Sequence, residues 1–351
     1  MSSIAQPEPI SSTGILPERI VRKASRADFY FRPDPWVNGL VAKVEEVLER
    51  VIESDDSLMS EIARHMVFGH AKRLRPIFVL LGQHLFQDKT LDVAIDTAAA
   101  AELVHCATLF HDDVIDSAET RKGRPAANEI WGNKSAVIMG DHFLVLAYSL
   151  LTRNRDFRLI ELFVELCRAL AEGVMMEIRN TGDLDVTLES HFETITRKTA
   201  AFFHTAATVG GYLGGASPEQ EKHLAAFGLN FGLAFQLSDD LLDLFADPVA
   251  TGKPRGSDLR SGIYTAAIIH ALAECPSFAK RFRPVLEKGD LASDDIDQIA
   301  GELKSNGIME YVQGLVGSHG DKALAHLDML PEGNINDTFR NLLHRITSRR
   351  F

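Results

Sequence analysis

Twice in this chain a long apolar run at helical spacing ends abruptly in three aspartates. The first runs from Ala98 to Phe110 and meets Asp112, Asp113 and Asp116; the second runs from Leu224 to Leu237 and meets Asp239, Asp240 and Asp243. An α-helix turns about 100° per residue, so the outer two aspartates of each set share a face and the middle one lies beside them. Like charges at this spacing weaken a helix, so a converging set points to a bound cation. Carboxylate oxygens suit Mg²⁺, a hard ion that keeps waters and bridges to phosphates. One acidic turn is commonplace. Two of them, about 127 positions apart (239 − 112) and each followed by basic residues, are hard to reach by chance. Arg121, Lys122 and Arg124 follow the first, and Lys253 and Arg255 the second, which fits a polyanion such as diphosphate. Opposed helices would hold Mg²⁺ between carboxylates and diphosphate, with apolar faces beneath for a hydrocarbon tail.

The rest of the chain is compatible with such helices. Residues 1–33 are polar and proline-dotted and read as a loosely ordered N-terminal arm; 34–351 read as a single all-helical domain with no linker. Asp34-Pro35 reads as a helix start. Further helices are expected at about 57–67, 74–87, 91–113, 134–152, 156–180, 188–214, 218–246, 263–273, 277–287, 293–304, 308–328 and 335–349. Ser217-Pro218-Glu219-Gln220 has the form of a capping box, and Gly214-Gly215 closes the helix before it. There is no sustained period-two alternation, no glycine-rich phosphate loop and no HExxH. The net charge of −12, with no basic stripe, argues against nucleic acid. Three scattered cysteines suggest neither a disulfide framework nor a zinc site. No signal peptide is visible, no uninterrupted apolar run approaches the roughly 18 residues of a spanning helix, and a cytoplasmic location is expected.

A further basic cluster, Ala71-Lys72-Arg73-Leu74-Arg75-Pro76, precedes a helix. On a helix Lys72 and Arg75 would lie on one side, and cations at an N-terminus oppose the macrodipole, so an anion suits them better than stability does.

From Lys72 to Ile268 the chain resembles the trans-type polyprenyl diphosphate synthases of the long-chain type. The resemblance rests on AKRLRP, ELVHCATLFHDDVIDSAETRKGRPAAN, Met139-Gly140-Asp141, RKTAAFF, GLAFQLSDDLLDLFAD and GKPRGSDLRSG. It implies an isoprenoid-synthase-like all-α bundle around a central cavity, acting as a homodimer that joins an allylic diphosphate to isopentenyl diphosphate with Mg²⁺. It also implies a peripheral membrane contact for product release. By this resemblance Asp112, Asp116 and Asp239, with Asp113, Asp240 and Asp243 beside them, hold the metal. Arg121 meets the allylic diphosphate, Lys72, Arg75, His105 and Lys122 form the isopentenyl diphosphate pocket, and Lys198-Thr199 and Phe235-Gln236 lie beside the reacting carbons. The chemistry suits that layout: ionisation of the allylic C–O bond leaves a diphosphate whose charge needs cations, and a carbocation that needs a dry pocket.

The chain departs from the family pattern at several positions. Lys122 stands for a second arginine, Ala71 for a glycine, and Ile263 for a lysine expected at the allylic diphosphate, whose role Lys253 or Arg255 would take over. A bulky aromatic at the Ala107 position resembles a floor that stops short products; here the position is open, and a hexaprenyl or longer product of the quinone-side-chain type is expected. In the alternative, Phe143 or Leu146 closes the tunnel. His84, His142 and His204 read as packing residues, Phe202-Phe203 as core, and Glu172 and Glu177 as a solvated helix face; Trp36 and Trp131 are candidates for a subunit contact. A class I terpene cyclase would carry one DDxxD and a second motif of the Asn/Ser/Glu type. A non-catalytic subunit of a heteromeric synthase would have lost the aspartates.

Overall fold

Phe78 sits at the centre of a ring of aromatic side chains that ties the core together. Its centroid is 5.0 Å from Phe203, 4.6 Å from Phe231, 6.0 Å from Phe227 and 5.3 Å from Phe339. The structure is a computed structural model, and it describes residues 35–69, 72–121, 123–246 and 255–349. The N-terminal arm, Asp34, Lys122 and Lys253 lie outside the described residues. The described residues all belong to one compact unit, Phe31–Phe351.

The elements in order are α1 (Pro35–Val51), α2 (Ser57–Val67), α3 (Leu74–His84), α4 (Asp92–Ile115), β1 (Thr120–Arg121), β2 (Arg124–Pro125), α5 (Ala127–Arg153), α6 (Phe157–Asn180) and α7 (Leu188–Ile195). A π-helical turn (Thr196–Ala200) leads into α8 (Ala201–Gly214), α9 (Pro218–Phe245), α10 (Ser257–Arg260), α11 (Ala266–Glu274), α12 (Pro276–Leu286), α13 (Ser293–Ser305), α14 (Ile308–Leu327) and α15 (Asn334–Thr347). The architecture is all-α. Helices α3, α8 and α9 pack side by side, α4 lies along α5, and α9 lies along α14. α3 and α8 are apolar on nearly every side and correspondingly buried. Backbones approach closely where α3 meets α8: a Cβ on Gly210 would stand 2.5 Å from the Val79 carbonyl oxygen.

The α9 start follows its sequence signature. Ser217 Oγ accepts from Gln220 N, Gln220 Oε1 accepts from Ser217 N, and Pro218 takes the first helical position. Gly215, at φ 80°, ends α8.

Four local features differ from the sequence expectation. The 188–214 segment is not one α-helix, because the π turn interrupts it. α5 begins at Ala127 rather than near 134 and bends at Gly132, whose φ of 80° lies outside the helical range. A two-stranded antiparallel hairpin pairs Thr120 with Pro125 and Arg121 with Arg124. Two-residue strands are too short to show a periodicity. Finally, Lys72 and Arg75 do not share a helix face. Lys72 precedes α3, and Arg73 between them adopts a left-handed conformation (φ 52°) at the N-cap. Arg73 is the structural member of the basic cluster: it donates to Glu45 at 2.6 Å, Glu102 at 2.7 Å and the Val67 carbonyl at 2.8 Å, knitting α1, α2 and α4 to the start of α3. Breaking one partner of such a buried pair costs about 3–5 kcal/mol.

Helices α4 and α5 have the length and composition of membrane spans, but 72% of the α4 window is buried against 39% for α5. The exposed part of α5 carries Ile138 and Val145, and its neighbour α6 carries Val164 and Met175, all about half exposed or more.

Candidate active site

The first acidic motif divides at the end of α4. Asp116 forms the C-cap and lines a cavity of about 190 Å³. Asp112 lies beside it, and burial, with Asp116 and Glu177 adding repulsion against the pull of Lys198 and Arg121, pushes its carboxyl up to about 6. Asp113, fully buried, turns away: its Oδ1 accepts from Arg121 at 2.6 Å, and both residues line a separate small cavity with His65 and Arg124. Arg121, assigned above to the allylic diphosphate, is thus engaged with Asp113.

The second motif divides three ways at the end of α9. Asp239 pairs with Arg349 at 2.5 Å. Asp240 is buried and its Oδ1 accepts from Gln236 Nε2 at 2.8 Å. Asp243 accepts from Ser257 Oγ at 2.6 Å and from the backbone N–H groups of Ser257 and Asp258, anchoring the start of α10. That anchor brings Asp258 beside Asp240, and burial followed by repulsion from Asp258 raises the Asp240 carboxyl well above the ordinary range.

Gln236 links the second motif to the π turn. Thr199 Oγ1 donates to Gln236 Oε1 at 2.7 Å, and Gln236 donates on to Asp240. Lys198, next to Thr199 on the π turn, donates to Glu177 of α6 and faces Asp112 and Asp116. Burial opposes its charge, but Glu177 and Asp112 outweigh burial and raise its pKa. Asp116, Glu177, Lys198, Thr199, Gln236, Asp240 and Asp258 all line the one cavity. Glu177 is therefore no solvated face residue. The sequence held no signal for it, since one glutamate on an amphipathic helix looks like any other; Glu172, by contrast, pairs with Arg168 and Arg197.

Of the basic group, Arg75 and His105 meet at the Phe202 ring, and none of Lys72, Arg75 and His105 is among the described residues that line this cavity. The Arg75 guanidinium lies 4.7 Å from the Phe202 centroid and 5.5 Å from Phe203, and its buried Nε has no hydrogen-bond partner. His105 meets the same Phe202 ring edge-on at 6.0 Å. The charges facing Lys72 are Asp239 and Arg349. Arg349, 5.6 Å from the Phe235 ring, is a cation near the chain end that sequence reasoning missed. Phe235 itself packs on Phe203 and Phe231. Ala107 is buried within α4. Ile263 forms part of the cavity wall, and no cation from its loop replaces the expected lysine among the described residues: Arg255 pairs with Asp297, and Arg260 donates to the Leu291 carbonyl and Ser293. His84 and His204 make ordinary packing bonds, to Thr90 and the Ala225 carbonyl. Trp36 meets His84 and Trp131 meets His65.

Among the described residues no three His, Cys, Asp or Glu side chains already converge as a closed metal site. The open arrangement still fits a hard cation. Asp240 Oδ2 is a buried oxygen without a partner, and Asp112 is a carboxylate that burial destabilises until a positive charge arrives.

The polyprenyl synthetase family model matches residues 56–303. The chain belongs to this family. It is 33% identical over 311 residues to the octaprenyl diphosphate synthase of Escherichia coli (strain K12), covering 88% of this chain and 95% of that protein. A decaprenyl diphosphate synthase from Rhodobacter capsulatus superposes with a TM-score of 0.84 at 30% identity, covering 89% of this chain and 96% of that one. A polyprenyl synthase from Caulobacter crescentus, complexed with calcium and isoprenyl diphosphate, gives 0.85 at 29% identity over 94% and 100% of the two chains. The polyprenyl synthase described here is a prenyltransferase that elongates isoprenoid diphosphates head to tail; the cyclase and silent-subunit readings are not favoured.

Proposed function

We propose that this synthase condenses an allylic prenyl diphosphate with isopentenyl diphosphate in the cavity between α4 and α9, with Mg²⁺, to release a long all-trans polyprenyl diphosphate. The observation that carries the assignment is the meeting of Asp116 from the first motif and Asp240 from the second in one cavity. Asp112, Asp116, Asp239 and Asp240 would hold Mg²⁺, which when bound neutralises charge on the departing diphosphate. Calcium with isoprenyl diphosphate in the Caulobacter crescentus relative, and the all-oxygen donor set here, support a hard divalent ion. Asp113 and Asp243 orient the ends of the motifs through Arg121 and Ser257. Lys198 holds a positive charge at the cavity wall. Thr199 and Gln236 fix Asp240 and present oriented dipoles to a developing carbocation. Arg75, stacked on Phe202 with a free Nε, binds the isopentenyl diphosphate with Lys72 and His105.

The test is elongation of an allylic primer with radiolabelled isopentenyl diphosphate. Asp112→Ala and Asp239→Ala should each reduce turnover by ~100-fold or more while leaving the fold intact, since the apolar faces of α4 and α9 anchor both helices. Near-normal elongation by either variant in Mg²⁺ would overturn the metal assignment.

Two further parts of the proposal concern assembly. The exposed apolar residues of α5 and α6 form a face suited to a second copy of the chain, giving a homodimer. Val145→Glu should then yield a monomer by light scattering, and a dimer unaffected by that change would refute this face. The synthase works in the cytoplasm and touches the membrane peripherally to shed its apolar product; recovery in the integral-membrane fraction would contradict this.

A further inference from the structure

Two polar atoms in the cavity wall lack hydrogen-bond partners. His191 Nε2 on α7 and Asp240 Oδ2 on α9 are both shielded from solvent, and neither is bonded. They face each other at 3.7 Å, and both residues line the main cavity. His191 is 7% exposed and Asp240 6%. A buried polar atom left unsatisfied is destabilising, so two of them aimed at one another from different helices call for an explanation. The rest of Asp240 is already fixed: Gln236 holds Oδ1, and Thr199 holds Gln236. Oδ2 is the oxygen whose direction is unset, in a region made acidic by Asp258, Asp239 and Asp243. The His191 ring meets the Phe192 ring in a T-shaped contact at 6.1 Å.

We propose that His191 is a positioning residue for the divalent cation site. Its Nε2–H closes on Asp240 Oδ2 by less than an ångström to reach ordinary hydrogen-bond length, ~3 Å. With both oxygens then held, the carboxylate presents its remaining lone pairs to the cation or its waters in one orientation. The inference rests on the reading that Asp240 belongs to the cation site. Partners that orient a metal's ligands in this way typically contribute 10–100-fold to affinity.

The test is calorimetric titration of Mg²⁺ into full-length protein in the presence of inorganic diphosphate, with thermal unfolding as a fold control. His191→Phe keeps the ring volume and removes the donor; its Mg²⁺ affinity should fall about tenfold. His191→Gln restores a donor at similar reach and should recover most of the loss. If His191→Phe proves unstable, His191→Met against His191→Gln makes the same comparison. Wild-type affinity in a variant without a donor would overturn the proposal. So would a change in the visible spectrum of the Co²⁺-loaded enzyme between wild type and His191→Gln, since the ring nitrogen would then sit on the metal itself. Failure of the wild type to bind Mg²⁺ would instead strike the cation reading on which the inference depends.

Discussion

Lys198 is surrounded by three carboxylates, those of Glu177, Asp112 and Asp116, and donates to the first. Among the described residues lining the main cavity its ammonium is the only lysine charge, and Ile263 stands in place of a second. Glu177 thus competes with any diphosphate for that charge. Glu177→Gln keeps the shape and a hydrogen-bond acceptor but removes the competing charge. A part-buried charge-assisted bond is worth ~1–2 kcal/mol, so KM for the allylic diphosphate should fall by roughly 5–30-fold and product diphosphate should inhibit more strongly. Steady-state kinetics on both substrates checks this; an unchanged or raised allylic KM would mean that Glu177 assists binding. Whether a residue's part could be foreseen depended on whether its signal was local. The two DDxxD sets show in sequence because their spacing carries the chemistry; the Lys-Thr and Phe-Gln pairs show only through the family resemblance. Glu177, His191 and Arg349 do not, because each acquires its role from a partner 21, 49 or 110 positions away: Lys198, Asp240 and Asp239. The same reason explains why six aspartates that look equivalent in sequence end with different partners.

The π turn is the element on which the site depends. It inserts one residue into a helical run and so sets Lys198 toward α6 while Thr199 reaches Gln236 on α9. Two glycines make room for it: a Cβ on Gly173 would stand 2.6 Å from Lys198 N, and one on Gly232 2.5 Å from Ala200 Cα. Both contacts are with backbone or a short side chain, which cannot swing aside. Gly173→Ala should therefore displace the π turn, lower kcat by at least ~10-fold and destabilise the fold by about 1–3 kcal/mol. Thermal unfolding and kcat measured together decide it, and full activity in that variant would show the turn to be more compliant than its contacts imply. Most helices were legible because hydrophobic periodicity and caps are local, as at Ser217–Gln220 and Gly215. The π turn was not, since a one-residue insertion leaves the apolar pattern of 188–214 continuous. At Gly132 the sequence reading started the helix near 134, after the kink, and missed the helical stretch Ala127–Trp131, whose Asn128 and Glu129 break the apolar pattern. At Arg73, the sequence reading gave a helix face to residues that a left-handed N-cap separates.

At the scale of the whole molecule, product length depends on how far a growing chain can run from the cavity into the bundle. The cavity is lined by Asp116, Glu177, Lys198, Asp240 and Asp258 among others, and α4 carries a long buried apolar stretch before Asp112. On that helix Ala107, Val104 and Ala100 are all buried and small or medium in size. They lie about one to three turns N-terminal to Asp112 on α4, and the proposed function runs the growing tail along this stretch. The bulkiest neighbours are Phe110 of α4 and Phe143 of α5, fully buried and packed edge to face at 5.2 Å. A ring pair of this kind is committed to holding α4 against α5. Ala107 is 1% exposed, so a benzyl group added there must displace whatever packs beside it, which on the proposed function is the growing product. Wild-type enzyme should make a hexaprenyl or longer product, in keeping with the octaprenyl and decaprenyl synthases it resembles. Ala107→Phe should shorten that product by several isoprene units while sparing the first condensations, which take place above the blocked level. Phe143→Ala distinguishes the competing floor: if Phe143 rather than position 107 sets the limit, this variant lengthens the product and Ala107→Phe leaves it unchanged. Chromatography of the dephosphorylated products reads all three enzymes on one plate. A wild-type product no longer than geranylgeranyl, or no shortening in Ala107→Phe, would refute the long-chain assignment and leave the prenyltransferase chemistry standing.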